Sequence, residues 1–325
     1  MAARDIIVIG ASAGGVETIP KFFRGLNGES RTAFFVVLHM ASDCKTVMPD
    51  LIQRSTRLRV ENAEDNKPFQ KGRVYVAPPD CHLLIEKNHI RLSHGAKENR
   101  HRPAIDPLFR SAARHHGPKV IGILLTGTMD DGSLGLYEIK KSKGVAIVQD
   151  PGEALYPELP LNALRVAKPD LCLTLSQMAE MLPGLISQPV KKSKAPPSGD
   201  HGMKPESKIP KSLRELAHKL GAPSGFVCPD CSGPLWEIQH EDDLHYRCMV
   251  GHAFSPETFL ASQSEEVEKA LWICLRALEQ RVELQQRLAQ RSSGLRQDFT
   301  SQVFLKKAKK NERHARLIRQ MLERL

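Results

Sequence analysis

The chain has 325 residues, seven cysteines and a formal net charge of +10, long enough for one sizeable core plus appendages. No apolar run approaches membrane-spanning length, and Met1-Ala-Ala-Arg4 leads into a strand without a signal-peptide apolar region. A soluble, cytoplasmic protein with no membrane insertion is therefore expected. An odd cysteine count with three clustered late argues against a disulfide framework, and the excess positive charge sits largely in two segments, 191–211 and the tail after Phe304. That placement reads as solvated faces and argues against nucleic acid as the partner.

The first element is the most informative. Ile6 to Ile9 is an apolar run that stops at Gly10-Ala-Ser12-Ala-Gly-Gly15, and a helical pattern over 15–25 follows at once. Small residues around Ser12 permit a sharp strand-to-helix turn that lifts a hydroxyl above the sheet edge, next to helix N-terminal N–H groups. A phosphate-binding loop is the competing reading. Against it, Ser12 occupies the place of the second glycine of G-x-G-x-x-G, and no Lys-Ser/Thr pair follows the glycines.

Further strands are predicted at Ala33 to Leu38, Val74 to Ala77, Val120 to Leu125, Val145 to Gln149 and Leu171 to Leu175. Helices are predicted near 45–55, 106–116, 132–142 and 176–186, with Asp106-Pro107 as N-cap acceptor and first helical position. Leu83 to Leu92 reads as a hairpin turning near Lys87-Asn88. Short, continuous apolar strands alternating with helices predict an α/β fold, a doubly wound, mostly parallel, Rossmann-like sheet with a small antiparallel addition. Residues 188–222 are a Pro/Lys/Ser-rich linker, with a short helix expected over Ser212 to Leu220, and a cysteine-rich module spans 223–258. In the remainder, 259–325, the spacing of Leu260, Val267, Leu271, Cys274, Leu275, Leu278, Val282 and Leu288, a break near Ser292-Ser293-Gly294 and a basic amphipathic stretch predict an α-helical tail. It forms a helical hairpin or a coiled-coil-like pairing surface.

Active sites of open α/β sheets lie at the carboxyl ends of the strands. His39 ends the second strand, and Asp130-Asp131 follow the strand 120–125 through Thr126-Gly-Thr-Met129. Ser, His and Asp at one sheet edge match the needs of an activated hydroxyl, which requires a base and an anionic group to orient it. Spacing alone does not choose between Asp130 and Asp131. The order Ser, His, Asp differs from that of α/β-hydrolases.

The segment 5–187 resembles the catalytic domain of the CheB family, the chemotaxis protein-glutamate methylesterases. The matching pieces are Ile9-Gly-Ala-Ser12-Ala-Gly-Gly15, His39-Met40, Tyr75-Val-Ala-Pro-Pro79 with His82-Leu83, Arg102-Pro-Ala-Ile-Asp106-Pro-Leu-Phe109-Arg-Ser-Ala-Ala113, Leu125-Thr-Gly127 with Asp131-Gly132, and Gln149-Asp150-Pro151. The resemblance implies a methylesterase catalytic domain over 1–187. In it Ser12 would be the nucleophile, His39 the general base and Asp131 its orienter, a carboxylic ester hydrolase acting on glutamyl methyl esters of chemoreceptor-like proteins, with deamidation of glutamines as a second activity. Backbone N–H groups of Ala13 and Thr128 would hold the oxyanion, and no cofactor is needed for catalysis. Where the family has Leu-Thr-Gly-Met-Gly-x-Asp-Gly, this chain has Leu125-Thr-Gly-Thr-Met-Asp-Asp-Gly132, which puts the turn's backbone angles in question. Leu159-Pro160 stands for the family's Met-Pro. Typical members also carry an amino-terminal receiver domain, whereas this sequence starts on the esterase strand, so control by phosphorylation within the chain is not expected.

Cys228-Pro-Asp-Cys231 and Cys248-Met-Val-Gly-His252 space four ligands as C-x2-C and C-x3-H, with knuckle turns at Pro229 and Gly251. This predicts a closed, structural zinc site in a small zinc-ribbon-like module, with His240 and His245 as substitutes for His252 that do not fit the knuckle spacing. Cys44, Cys81, Cys172 and Cys274 are expected to be isolated, buried thiols. The alternative to an enzyme is a non-catalytic or weakly active scaffold whose zinc module and tail bind a receptor, a histidine kinase or a methyltransferase.

Overall fold

The computed structural model describes residues 3–26, 31–41, 46–190, 221–240 and 243–324. The short helix expected at 212–220, most of the linker and Cys44 lie outside these residues. The chain separates into two compact units, Met1–Thr258 and Phe259–Leu325.

The first unit is built on seven parallel strands: β1 (Ile6–Ala11), β2 (Ala33–Leu38), β3 (Arg59–Asn62), β4 (Arg73–Val76), β7 (Val120–Leu124), β8 (Val145–Gln149) and β9 (Leu171–Leu173). They lie in the order β3-β4-β2-β1-β7-β8-β9. β5 (His82–Ile85) and β6 (Ile90–Ser93) form a separate antiparallel hairpin. Strand residues alternate between two buried layers. Val8, Phe35 and Val37 pack with Ile105, Phe109, Leu136 and Leu159, which lie on α3 (Ile105–His116), α4 (Ser133–Lys141) and α5 (Glu158–Val166). Ile7, Ile9, Phe34 and Val36 pack on the opposite face with Ile19, Phe22, Ile52, Met178 and Leu182, from α1 (Gly15–Gly25), α2 (Met48–Gln53) and α6 (Leu175–Ser187). Coverage on both faces is why these strands read as unbroken apolar runs. The fold is thus the expected doubly wound α/β sheet.

Two elements escape the sequence pattern. β3 is an edge strand, Arg-Val-Glu-Asn, with no residue fully buried. α5 carries Pro160 near its start and follows an irregular loop, so its periodicity is short.

The Cys/His module consists of β10 (Ala222–Val227), β11 (Pro234–His240), β12 (Asp243–Cys248) and β13 (Ala253–Phe254), an antiparallel sheet in that order. β13 also meets the part of the chain built on the parallel sheet, bridging to Glu98. Of the isolated cysteines, Cys81 is buried as expected, but Cys172 and Cys274 are exposed: β9 is an outer strand, and Cys274 lies on the outward side of a helix.

Two long helices complete the chain, α7 (Pro256–Gly294) and α8 (Asp298–Leu322). They run antiparallel, since Ser301 Oγ donates to Ala289 O (2.9 Å), Asn311 Nδ2 donates to Gln285 Oε1 (3.0 Å) and Arg319 pairs with Glu279. Small residues fill much of the seam, with Ala289, Ser292, Ser301, Ala308 and Ala315 buried beside Leu275. Leu260, Val267 and Cys274, assigned to the apolar stripe by their spacing, are exposed instead. No helix among the described residues is long and apolar enough to cross a membrane.

Candidate active site and metal centre

β2, β1 and β7 are neighbours in the sheet, so their carboxyl ends present Ser12, His39 and the 125–132 turn side by side. β1 is the strand from which the chain order departs in both directions, the crevice where open α/β sheets place their chemistry. Gly14 takes φ 76° as the residue before α1, a left-handed conformation that lets the chain turn directly from strand to helix behind Ser12. Gly127 faces Ser12 so closely that an added Cβ would lie 2.8 Å from the Ser12 Cβ and 2.6 Å from Leu159 Cδ2.

His39 Nδ1 lies 3.0 Å from Ser12 Oγ, and His39 Nε2 lies 2.7 Å from Asp131 Oδ2. A carboxylate can only accept, so Nε2 carries the proton and Nδ1 presents its lone pair to the serine hydroxyl. Asp131 is 2 % exposed, yet both its oxygens are saturated. Oδ2 also accepts from Ile105 N (2.6 Å), and Oδ1 accepts from Asn99 Nδ2 (2.8 Å) and Asp106 N (3.3 Å). Burial alone would raise its pKa, but the His39 contact and the Ile105 and Asn99 donors outweigh it and hold Asp131 well below the ordinary carboxylate range.

These donors correct one expectation. Asp106 is not the N-cap of α3; Ala104 holds that place without a side-chain cap, and Asp131, reaching in from the turn after β7, accepts the first N–H groups of the helix. The positive end of α3 thereby stabilises the Asp131 anion. Asp106 turns inward instead, its Oδ1 accepting from Gly135 N at 2.7 Å, and burial with the Asp131 charge nearby pushes its pKa up. Asp130, the other aspartate at this turn, makes no contact with His39. Its pKa is pushed up to about 6 by burial, against a hydrogen bond from Ser255.

Two neighbours of His39 and Asp131 were not legible in the sequence. Asn99 bridges Asp131 and Asp106, its Nδ2 lying 2.8 and 3.0 Å from them. The His101 ring stacks on His39 with centroids 3.6 Å apart and planes 13° from parallel. Burial and the His39 ring lower the His101 pKa to about 3, so it packs there uncharged. Both sit on the irregular stretch Lys97–Arg102, where no periodicity marks which residues point inward; the polar run Glu98-Asn-Arg-His101 was its only signal.

The Thr126–Met129 turn is knitted in place. Thr126 N donates to Gln149 Oε1 (3.0 Å), Gly127 N to Tyr156 O (3.0 Å) and Asn162 Nδ2 to Met129 O (2.7 Å). Met129, standing where the resemblance puts a glycine, takes φ 62°, a left-handed conformation that costs a side-chain-bearing residue about 1 kcal/mol or more. The turn therefore keeps a glycine-like backbone at the expense of strain. Gly127 N, committed to Tyr156 O, is not free to serve a group bound at Ser12.

A family model described as CheB methylesterase matches residues 7–182, more than half of the chain. The chain belongs to the CheB methylesterase family. This CheB-family chain is 35% identical over 178 residues to a Leptospira interrogans protein provisionally named protein-glutamate methylesterase/protein-glutamine glutaminase, covering 54% of this chain and 92% of that one. It is 34% identical over 185 residues to Methanosarcina mazei protein-glutamate methylesterase/protein-glutamine glutaminase 2, where the match covers 54% of this chain and 50% of the relative. The crystal structure of the Thermotoga maritima CheB methylesterase catalytic domain superimposes with a TM-score of 0.54 at 27% identity, covering 57% of this chain and all of that domain.

The family model ends at residue 182, before the Cys/His module, whose chemistry rests on its own geometry. The donor atoms of Cys228, Cys231, Cys248 and His252 lie within 4.8 Å of one another. Cys231 Sγ is 3.6 Å from Cys248 Sγ, and His252 Nδ1 is 3.7 Å from Cys228 Sγ and 3.5 Å from Cys248 Sγ. A tetrahedral zinc with ordinary Zn–S and Zn–N bonds sets edges of about 3.8 Å and about 3.5 Å. Both knuckles are formed, with Ser232 N donating to Cys228 O (2.8 Å) and Gly251 N to Cys248 O (3.1 Å). Burial, with neighbouring thiols contributing, pushes the Cys228 thiol up to about 12, and burial likewise raises that of Cys248. His252 joins the set, whereas His245 lines a cavity elsewhere and the His240 side chain lies outside the described residues.

Proposed function

We propose that this CheB-family chain is a protein-glutamate methylesterase that hydrolyses glutamyl methyl esters, and deamidates glutamines, on chemoreceptor-like proteins. The observation that carries the reading is the relay of Ser12, His39 and Asp131 at 3.0 and 2.7 Å. His39 Nδ1 takes the Ser12 proton as Oγ attacks the ester carbonyl, and the N–H groups of Ala13 and Thr128 receive the oxyanion. His39 returns the proton to the departing methoxide, releasing methanol and leaving an acyl-enzyme. Water, deprotonated by the same imidazole, then adds to the acyl carbonyl; collapse restores Ser12 and frees the glutamate carboxyl group. Asp131, fixed by the donors around it, keeps Nε2 protonated and stabilises the imidazolium in each half-reaction.

In this reading residues 1–187 are the catalytic domain, 188–222 a linker, 223–258 a module held by a structural zinc on Cys228, Cys231, Cys248 and His252, and 259–325 a helical tail for a signalling partner. Four protein ligands close the coordination shell, so the metal supplies stability and no reaction step.

Ser12→Ala is expected to abolish methanol release from methylated receptor, a loss of about 10⁴-fold or more in kcat, with an unchanged melting temperature. Methanol release by Ser12→Ala at the wild-type rate sinks the reading. Loss of labelling by a fluorophosphonate in His39→Ala is the companion check on the activated hydroxyl.

A further inference from the structure

The Cys/His module meets the catalytic half at Asp130, which accepts from Ser255, at Arg165, which pairs with Glu257 at 2.6 Å, and along the loop 97–101, which flanks His39 and Asp131. β13 begins at Ala253, directly after the ligand His252. Ala253 O accepts from Asn99 N (2.8 Å), Ala253 N donates to Lys97 O (3.4 Å), and Ser255 N donates to Asn99 Oδ1 (3.3 Å). The module's backbone therefore grips both the main chain and the side chain of Asn99, which is 4 % exposed and held at φ 48°. The amide's other end donates to Asp131. Two residues on, His101 exchanges main-chain hydrogen bonds with Glu98 (2.9 and 3.2 Å) and stacks on His39. Glu98 pairs with Arg110 of α3 at 2.6 Å and is held ionised against its burial by Arg110 first and by Arg247 of β12 second, a further tie between loop and module.

We propose that the metal-loaded module is a positioning clamp for the catalytic acid and base, so that metal occupancy at Cys228, Cys231, Cys248 and His252 sets the reactivity of Ser12 through Asn99. This rests on the esterase and metal-site readings above. The β-strand additions along 97–99 are short, and the module buries few large apolar side chains, so its shape depends on the ligand knuckles. When those knuckles relax, β13 loses its anchor and Asn99 loses two partners. A cavity of about 670 Å³ borders Asn99, Asp106 and Asp130, and gives water a route to the released loop. Mobile water then replaces a fixed donor on Asp131, and the preorganisation of the relay falls. Asn99 is in these terms a positioning residue, acting through Asp131 without touching substrate.

The test uses the full chain, loaded with zinc or stripped by a chelator under reducing conditions, with metal content measured on each sample. The rate of Ser12 labelling by a fluorophosphonate is read together with amide hydrogen exchange. Stripping is expected to slow labelling by about 10- to 100-fold, the worth of a hydrogen bond to a charged group, and to speed exchange at Asn99 and His101 while β1, β2 and β7 stay protected. Asn99→Gly, which keeps the left-handed backbone, is expected to slow labelling of the loaded protein by a similar factor and to lower kcat without raising KM. Stripping Asn99→Gly should then add less than about twofold, because both changes remove one interaction. Equal labelling of loaded and stripped wild type, or effects of stripping and Asn99→Gly that multiply, overturns the clamp. Should stripping also expose the sheet amides, the loaded Asn99→Gly protein decides alone, a wild-type kcat overturning the proposal. Absence of Ser12 labelling in the loaded wild type is a separate result, refuting the esterase reading, and failure to take up zinc refutes the metal site.

Discussion

The parallel sheet and the Cys/His module are both parts of one compact unit, yet they are held together by different physics. The sheet buries branched and aromatic side chains on both faces, from Val8, Phe35 and Val37 to Ile7, Phe34 and Val36. Among the described residues of the module, the large buried apolar side chains are few, Leu235, Trp236, Tyr246 and Phe254, and its two turns converge on thiols and an imidazole. One region is stabilised by area removed from water, and the other, in the reading proposed above, by four ligands held together by a cation between them. A region of the second kind can be switched without unfolding the first, which is what makes it suited to setting the geometry of a neighbouring site.

The largest effect that sharpens this contrast is metal removal. Chelation, or Cys248→Ser, is expected to cost the module on the order of 10 kcal/mol of linked folding free energy, melting β10 to β13 while the parallel sheet persists. Separate transitions in hydrogen exchange check it, and a module that stays protected without metal breaks the contrast. Next comes Phe35→Ala, which empties the space between Tyr75, stacked at 5.3 Å, and Phe69, edge-on at 5.2 Å. A loss of about 4 kcal/mol is expected, the same with and without metal, measured by denaturant unfolding.

A smaller effect lies at the border of the two regions. Burial raises the Asp130 pKa to about 6, above its unfolded value, so the fold holds this proton more tightly than the unfolded chain does. The stability tied to the protonated form is complete below about pH 4 and is lost as pH rises through about 6. Asp130→Asn should remove that loss, flattening the stability profile between pH 4 and 7 by on the order of 2 kcal/mol. An unchanged slope in unfolding curves across this range counts against it. Smallest is Met129→Gly, which relieves the left-handed strain at φ 62° and is expected to stabilise the catalytic half by about 1 kcal/mol. Thermal unfolding reads it directly, and a lowered melting temperature contradicts it.

The sites were legible to different depths for identifiable reasons. Ser12 and His39 stand immediately after apolar runs, and β-strand periodicity places such residues at a sheet edge without knowledge of the partners. Choosing Asp131 over Asp130 took the family resemblance, because the turn between β7 and α4 has no period. In the structure the two adjacent carboxylates face different surroundings, one His39 and the α3 N-terminus, the other Ser255. The convergence of Cys228, Cys231, Cys248 and His252 was readable because knuckle geometry constrains spacing locally, within five residues on each side. The helical tail was readable in extent but less so in its packing face, since much of the seam is built on alanines and serines that carry little hydropathy signal.

By itself the sequence determined the elements that depend on neighbours along the chain: the buried strands, the turn that lifts Ser12, the knuckles around Cys228 and Cys248, and the break between α7 and α8. Only the tertiary structure decided what depends on distant segments meeting: that β2, β1 and β7 lie side by side, that Asp131 caps a helix it does not precede, and that Ala253–Ser255 grips Asn99 across 156 residues. The physical reason is one of range. Backbone propensity and local hydrogen bonding leave a periodic trace in sequence, whereas a buried donor such as Asn99 is chosen by where the fold leaves a carboxylate in need of a partner.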